Sequence, residues 1–429
     1  MIQGYIPKEQ RKTILFLGDD LRLPSGIGRI TREIIVNTAH RYNYFCIGGS
    51  QQHPDKGKIF DLSASINEEL GITDAMVRVL PVDGYGDQTL VRNIVNSEKI
   101  DGIFFFTDPR YWIWLFEMEH ELRIKGIPLM YYAIWDDVPF PYWNRSFYAS
   151  CDLIMGISKQ SNNIHQVVLG KGNFIDLEKE DTTGLTTPYE NYEYAPKQVR
   201  TAYVPHGMDT KHFFQILADS DEYIKCLEYK TRVLGDTDYK FVLFYNSRNI
   251  RRKQTSDIIL AFKTFCDGLP KGEADKCVLL LHTQPIDENG TNLFEVAATL
   301  APNCNIRFTQ GIVSMQELNY MYNFSDCTIS IGSNEGWGLS STESVLAGTP
   351  IINNVTGGLQ DQMRFEDSNG KWVEFDKDFA SNHNGRYKKH GPWAAPVFPS
   401  NRSIQGSVQT PYIFDDRCNF EDVANAIKY

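Results

Sequence analysis

Glu335-Gly-Trp-Gly338 stands between an apolar run ending near Ile331 and a segment of helical spacing beginning near Leu339. Strand, glycine turn and helix start in that order build an anion site. The unpaired amides of a helix's first turn and the helix dipole behind them suit a phosphate, and glycine lets it approach the backbone closely. Two carboxylates, Glu335 in the turn and Glu343 in the helix, flank the site. They cannot easily both serve phosphates, so the hydroxyl groups of a sugar and of a ribose are their natural partners. A second cluster lies upstream in FYNSRNIRRKQ, where Arg248, Arg251, Arg252 and Lys253 follow another apolar run. Arg248 and Lys253 are the best candidates to neutralise a diphosphate, by forked and point-charge donors; for Arg251 and Arg252 a solvated basic turn stays open. A third stretch, FLGDDLRLPSGIGRITREII, sets Gly26 and Gly28 between a strand and a helix. It reads equally as a plain turn or a ligand loop, since no acidic residue stands where a dinucleotide fingerprint requires one.

The elements that must position these residues follow one rhythm. TILFLG, YFCIGG, GIFFF, PLMYYAI and DLIMGIS alternate with amphipathic or mixed segments, which predicts βαβ units around a parallel sheet. The rhythm stops at YVPHGMDTKHFF, and the next thirty residues or so are polar, charged and weakly periodic. It resumes with KFVLFYN, a helix around Ser256 to Asp267, CVLLLHT, NIRFTQ, CTISIG and PIINN. Two α/β domains are predicted, 1–208 and 209–429. Open α/β sheets bind ligands beyond the C-terminal ends of their strands, where both clusters fall. From about Ser368 to Pro411 the chain is rich in Gly, Asn, Lys and Pro and predicts a long loop; FEDVANAIKY predicts a closing helix.

Composition excludes several classes. The chain has 429 residues, 42% hydrophobic and 23% charged, with 43 Lys and Arg against 54 Asp and Glu, a net charge of −11. Such a surface repels nucleic acid and anionic membrane, so an anion site must be local. No stretch approaches the roughly 20 apolar residues of a membrane span, and the N-terminus lacks a signal-peptide core. Eight scattered cysteines without a C-x-x-C pair predict reduced thiols in a cytoplasmic protein. Asp236-Thr-Asp238 is a D-x-D, but it precedes a strand and reads as a solvated turn, as does Asp376-Lys-Asp378. The nine histidines lack metal-ligand spacing, so no metal is expected. Trp112 and Trp114 read as core or domain-interface residues, with a sugar-stacking platform as the alternative. RYKKHGPW, with Arg386, Lys388, Lys389 and Trp393, reads as a solvated loop, with a nucleic-acid strip as the alternative.

The run EGWGLSSTE, the following AGTPIINN and Gly357-Gly358, and the pair Arg248 and Lys253 resemble the retaining glycosyltransferases of group 1. VPHGMD resembles that family's segment leading into the linker, and PSGIGRITREI its N-terminal glycine loop. The resemblance covers about residues 13–360, and the general texture is similar to members encoded by tailed bacteriophages. It implies the GT-B fold, two Rossmann-like domains with parallel sheets facing a central cleft. It also implies a metal-independent transferase with a UDP- or GDP-sugar donor and no cofactor. By position, Arg248 and Lys253 would hold the diphosphate, Glu343 the ribose and Glu335 the sugar hydroxyls. The amides of Gly338, Leu339 and Ser340 would bind phosphate oxygens, and Gly26 and Gly28 would close over the donor.

In many relatives an N-domain histidine faces the reacting sugar. Here the corresponding stretch YYAIWDDVPFPYW offers Asp136 and Asp137, and His206 is a further acceptor-side candidate. The implied acceptor is a saccharide or small molecule. A phage enzyme that glycosylates a modified DNA base, a nucleotide-sugar epimerase and a non-catalytic nucleotide-sugar-binding protein stay open, although the net charge counts against tight duplex binding. Relatives usually continue past the FEDVANAI segment with further helices, so the resemblance implies a shortened chain or another element in their place.

Overall fold

The computed structural model describes residues 2–179, 198–270, 272–375 and 387–429. The chain divides into two compact units, Met1–Trp135 with Phe140–Gly207, and Asp136–Pro139 with Met208–Tyr429. The short Asp136–Pro139 segment thus leaves the unit that precedes it in sequence.

The first unit is built on β1 (Lys12–Asp19), β2 (Tyr42–Ser50), β3 (Phe60–Asp61), β4 (Val77–Asp83), β5 (Gly102–Thr107), β6 (Leu129–Ala133), β7 (Leu153–Gly156), β8 (Phe174–Asp176) and β9 (Val199–Tyr203). They form one sheet in the order β3-β4-β2-β1-β5-β6-β7-β9-β8. All neighbours are parallel except β3 and β4. The unbroken apolar run of β1 is buried through Leu17, as a strand covered on both faces requires.

The second unit carries β10 (Phe241–Asn246), β11 (Cys277–His282), β12 (Ile306–Thr309), β13 (Cys327–Ser330), β14 (Ile351–Asn354) and β15 (Ala394–Val397), all parallel, in the order β12-β11-β10-β13-β14-β15. β10 and β11 are paired from Phe241↔Cys277 to Asn246↔His282. The chain runs outward to one side of β10 and then returns to its other side as β13. The loops that leave β10 and β13 therefore diverge from a topological switch point, the place where such sheets open a crevice.

Two stretches differ from their sequence reading. The polar segment after residue 208 contains a helix, Asp221–Leu234, capped by Ser220, with Asp221 and Glu222 in its first turn and Arg232 in its last. Its buried face is narrow, Cys226, Tyr229 and Leu234, which explains the weak periodicity. The Pro- and Gly-rich stretch is not one loop. It contributes β15, whose Pro396 is tolerated because β15 is an edge strand. It also contributes β16 (Asn401–Gln405), which forms an antiparallel hairpin with β17 (Ile413–Arg417) just beyond the stretch. Asp376, Asp378 and Arg386 lie outside the described residues.

All eight cysteines are unbridged, and only Cys304 is not fully buried. Trp112 is fully buried, its ring edge-on to Phe105 at 5.7 Å, which makes it a core residue; Trp114 lies 6.1 Å from it. Among the described residues no helix is long and apolar enough to cross a membrane.

Candidate functional site

The two loops at the switch point of the second unit bring opposite charges together. After β10 the chain makes a tight turn at Arg251–Lys253 and passes through Gln254, whose left-handed φ of 54° redirects it into the Thr255–Asp267 helix. After β13 comes the glycine turn, and Gly338, at φ 89°, starts the Leu339–Leu346 helix. A side chain at 338 would be strained and would also meet Leu359 at 2.5 Å. The Lys253 ammonium forms an ion pair with Glu335 Oε2. Arg252 Nη1 donates to the same oxygen at 3.3 Å and to Asn334 O at 2.6 Å. Burial works to raise the Glu335 carboxyl, but the Lys253 and Arg252 charges outweigh it and hold it below its ordinary value. Burial lowers Lys253, reinforced by Arg252 and opposed by Glu335. A carboxyl held below its ordinary value is ionised at neutral pH, so Glu335 presents a negative charge to Lys253 and Arg252.

Arg248 is placed differently. It pairs with Asp287 at 2.8 Å and its side chain is 62% exposed, whereas Arg251 hydrogen-bonds Gln405. The arginine that joins Lys253 at Glu335 is therefore Arg252. Arg252 and Lys253 share one turn, while Arg248 precedes it and meets the 287–289 loop.

Glu343 is 3% exposed and accepts from Tyr322 OH at 2.5 Å and Asn246 Nδ2 at 3.5 Å. Asn246 is the last residue of β10 and donates also to Tyr322 OH at 2.8 Å. The sequence offered no sign of Tyr322 and Asn246, whose relation to Glu343 exists only through strand order. The amides of Leu339 and Ser340 open the helix, whose first backbone bond runs from Ser341 N to Gly338 O at 3.0 Å. Gly357 and Gly358 serve the turn itself. Gly358 N donates to Glu335 O at 2.8 Å, and side chains at the two positions would meet the turn's carbonyl oxygens at 2.2 and 2.1 Å.

Asp136 and Asp137 belong to this same unit. Asn334 Nδ2 donates to Asp137 Oδ1 at 2.6 Å. Burial lifts the Asp136 carboxyl to about 7, with Arg252 opposing and Glu335 adding to the rise. Asp137 stands well above the carboxylate range through burial and the charge of Asp136. A carboxyl with a raised folded-state pKa binds more protons folded than unfolded, so the stability it contributes declines between about pH 4 and pH 7. Asp136→Asn is expected to shrink the difference in urea midpoint between pH 5 and pH 8; an unchanged difference contradicts this assignment.

In the first unit, Ser25 caps the Gly26–Thr38 helix by accepting from Gly28 N at 2.9 Å, and its hydroxyl donates to Asp19 at 2.5 Å. A side chain at Gly28 would meet Asp20 O and Leu23 O, each at 2.8 Å, so this glycine is required by the chain's own packing; Gly26 is exposed. His206 Nδ1 lies 2.8 Å from Tyr132 OH, and burial pushes the imidazole down to about 3, so it is neutral. Thr107, at the C-terminal end of β5, has φ 112° and accepts from Tyr131 OH at 2.7 Å. A β-branched residue there is strained, a feature that marks sites and that composition cannot reveal.

Among the described residues no three His, Cys, Asp or Glu side chains are grouped to hold a metal ion. Asp238 pairs with Lys240 in an exposed turn. Lys389 pairs with Glu366 at 2.7 Å, and Trp393 Nε1 donates to Gln362 O at 3.0 Å, so both are engaged within the second unit.

Residues 228–382, which include both clusters, match the sequence model of glycosyl transferases group 1. No curated protein matches the chain. Sucrose-phosphate synthase from Thermosynechococcus elongatus superposes with a TM-score of 0.61 at 13% identity over 97% of this chain and 89% of that one. A glycosyltransferase from Rickettsia africae gives 0.57 at 13% identity, covering 98% and 88%. Anabaena HepE, solved with UDP and glucose, gives 0.54 at 13% identity, covering 86% and 87%. The fold is GT-B, and residues 228–382 carry a glycosyltransferase domain.

Proposed function

We propose that the protein is a retaining, metal-independent glycosyltransferase whose second unit holds a nucleotide sugar and passes the sugar to a saccharide or small-molecule acceptor. The observation that carries this reading is the cluster of Lys253, Arg252 and Glu335 beside a glycine-started helix, inside the residues that match the family. Lys253 and the amides at Gly338 to Ser340 meet the diphosphate and stabilise the charge that grows on it as the sugar leaves. Arg252 does so at closer range to Glu335 than Arg248, which has first to part from Asp287. Glu343, already oriented by Tyr322 and Asn246, accepts from the ribose hydroxyls, and Glu335 from those of the sugar. In the transfer the bond from C1 to the phosphate oxygen breaks and the acceptor oxygen bonds C1 on the same face. The acceptor's proton goes to a phosphate oxygen of the departing nucleoside diphosphate. Asp136 and Asp137, which belong to the same unit as the donor cluster, orient the acceptor.

HepE, solved with UDP and glucose, makes UDP-glucose the first donor to try, ahead of GDP-sugars. The net charge of −11 favours a saccharide or small molecule over duplex DNA as acceptor, and the eight unbridged thiols suit the reducing cytoplasm. With UDP-glucose and a panel of mono- and disaccharide acceptors, proton NMR of the product is expected to show an α-anomeric signal; a β-linked product overturns retention.

A further inference from the structure

Among the described residues the β16–β17 hairpin pairs with no other strand, yet β17 is fastened to the loops that follow β10, β13 and β14. Asp416 N donates to Ser333 O at 3.3 Å, beside the Glu335 turn. Asp416 O accepts from Gln254 Nε2 at 3.4 Å, next to Lys253, and from Asn354 Nδ2 at 3.0 Å, at the end of β14. Its buried carboxylate accepts from Thr356, just before Gly357, and from Arg402, both at 3.0 Å. Two residues earlier, Phe414 N donates to Val138 O at 2.7 Å, which ties the hairpin to the Asp136–Pro139 segment. Asn334 closes this arrangement. Its amide nitrogen donates to Asp137 Oδ1 and to Phe414 O, both at 2.6 Å, and its oxygen accepts from the Ser333 hydroxyl at 3.0 Å.

We propose that Asn334 is a positioning residue for the sugar side of the donor site, clamping the hairpin and the Asp136–Pro139 segment to the Glu335 turn. Only a primary amide offers two donors and an acceptor from one position in this geometry. A carboxylate at 334 would oppose Asp137 Oδ1 and the Phe414 carbonyl, and an apolar side chain would remove both bonds that Asn334 donates. Glu335 is the next residue in the chain, so the clamp sets where its carboxylate stands without Asn334 touching the donor. The inference rests on the nucleotide-sugar reading above.

The test uses the full chain with UDP and UDP-glucose as probes. Asn334→Ala is expected to bind UDP within about twofold of wild type, because the nucleotide is held by Lys253 and Glu343. It is expected to lose about 10- to 100-fold in UDP-glucose turnover, mainly in kcat, the size of effect that a misplaced reacting group produces. Hydrogen exchange is expected to quicken at the Phe414 amide and through residues 335–338, with the rest of the second unit unchanged. The reciprocal Asn334→Asp with Asp137→Asn restores one amide–carboxylate bond in the opposite sense and is expected to recover part of what Asn334→Asp alone loses. Wild-type turnover in Asn334→Ala, or exchange quickened evenly across the second unit, overturns the proposal. A wild-type protein that binds neither probe overturns the nucleotide-sugar reading and this inference with it; turnover in the wild type beside an unaffected Asn334→Ala overturns this inference alone.

Discussion

Lys253→Ala is expected to lower sugar transfer by about 10²- to 10³-fold, the range that follows loss of one preorganised group from a site of developing charge. The Lys253 side chain is 12% exposed and is held in place by its ion pair with Glu335, so it would meet a diphosphate without first gathering itself from solvent. Arg252 remains 3.3 Å from Glu335 after the substitution, so the carboxylate keeps a cation and the fold is expected to survive. Melting temperature and turnover measured on the same preparation separate the two effects. A variant that melts close to wild type and turns over at the wild-type rate removes Lys253 from the mechanism. Arg248→Ala, by contrast, first frees Asp287, and its effect on turnover is expected to be smaller than that of Lys253→Ala.

Glu335→Gln is expected to cost turnover by a similar factor, and it carries a second signature in the pH profile. The Glu335 charge opposes the burial that lowers Lys253. Removing that charge lets the lysine lose its proton at lower pH, so the alkaline limb of activity moves to lower pH. Folding is expected to suffer less than turnover, because the glutamine keeps the shape of the turn and the backbone bond from Gly358 N to Glu335 O is untouched. A variant that melts far below wild type while its folded fraction keeps full activity makes Glu335 a structural residue.

The strand, glycine turn and helix around Glu335 were legible because each is written locally. The apolar run, Glu335-Gly-Trp-Gly338 and the helical spacing after it lie within a few residues of one another, and β13 and the Leu339–Leu346 helix occupy those places. The alternation of apolar runs with helical segments was likewise enough for the α/β class. Which arginine joins Lys253 was not legible. Arg248 and Arg252 are near neighbours in sequence, and only the turn at Arg251–Lys253 and the loop carrying Asp287 separate their directions. Nor was the clamp. Asn334 meets Phe414 across 80 positions and Asp137 across 197, and neither partner stands in a motif. The transfer of Asp136–Pro139 to the second unit has the same cause, since a segment this short leaves no shift of composition for a domain boundary to follow. The helix at Asp221–Leu234 was obscured because only a narrow stripe of it is buried, although its cap and terminal charges were in view.

We propose that the turn from Glu335 to Ser340, with Lys253 paired to Glu335, binds a nucleoside diphosphate. Calorimetric titration of UDP into the wild type and into Lys253→Ala tests it most directly. One site per chain in the wild type, with affinity reduced at least tenfold in the variant, is the predicted result; equal binding by both proteins would contradict it.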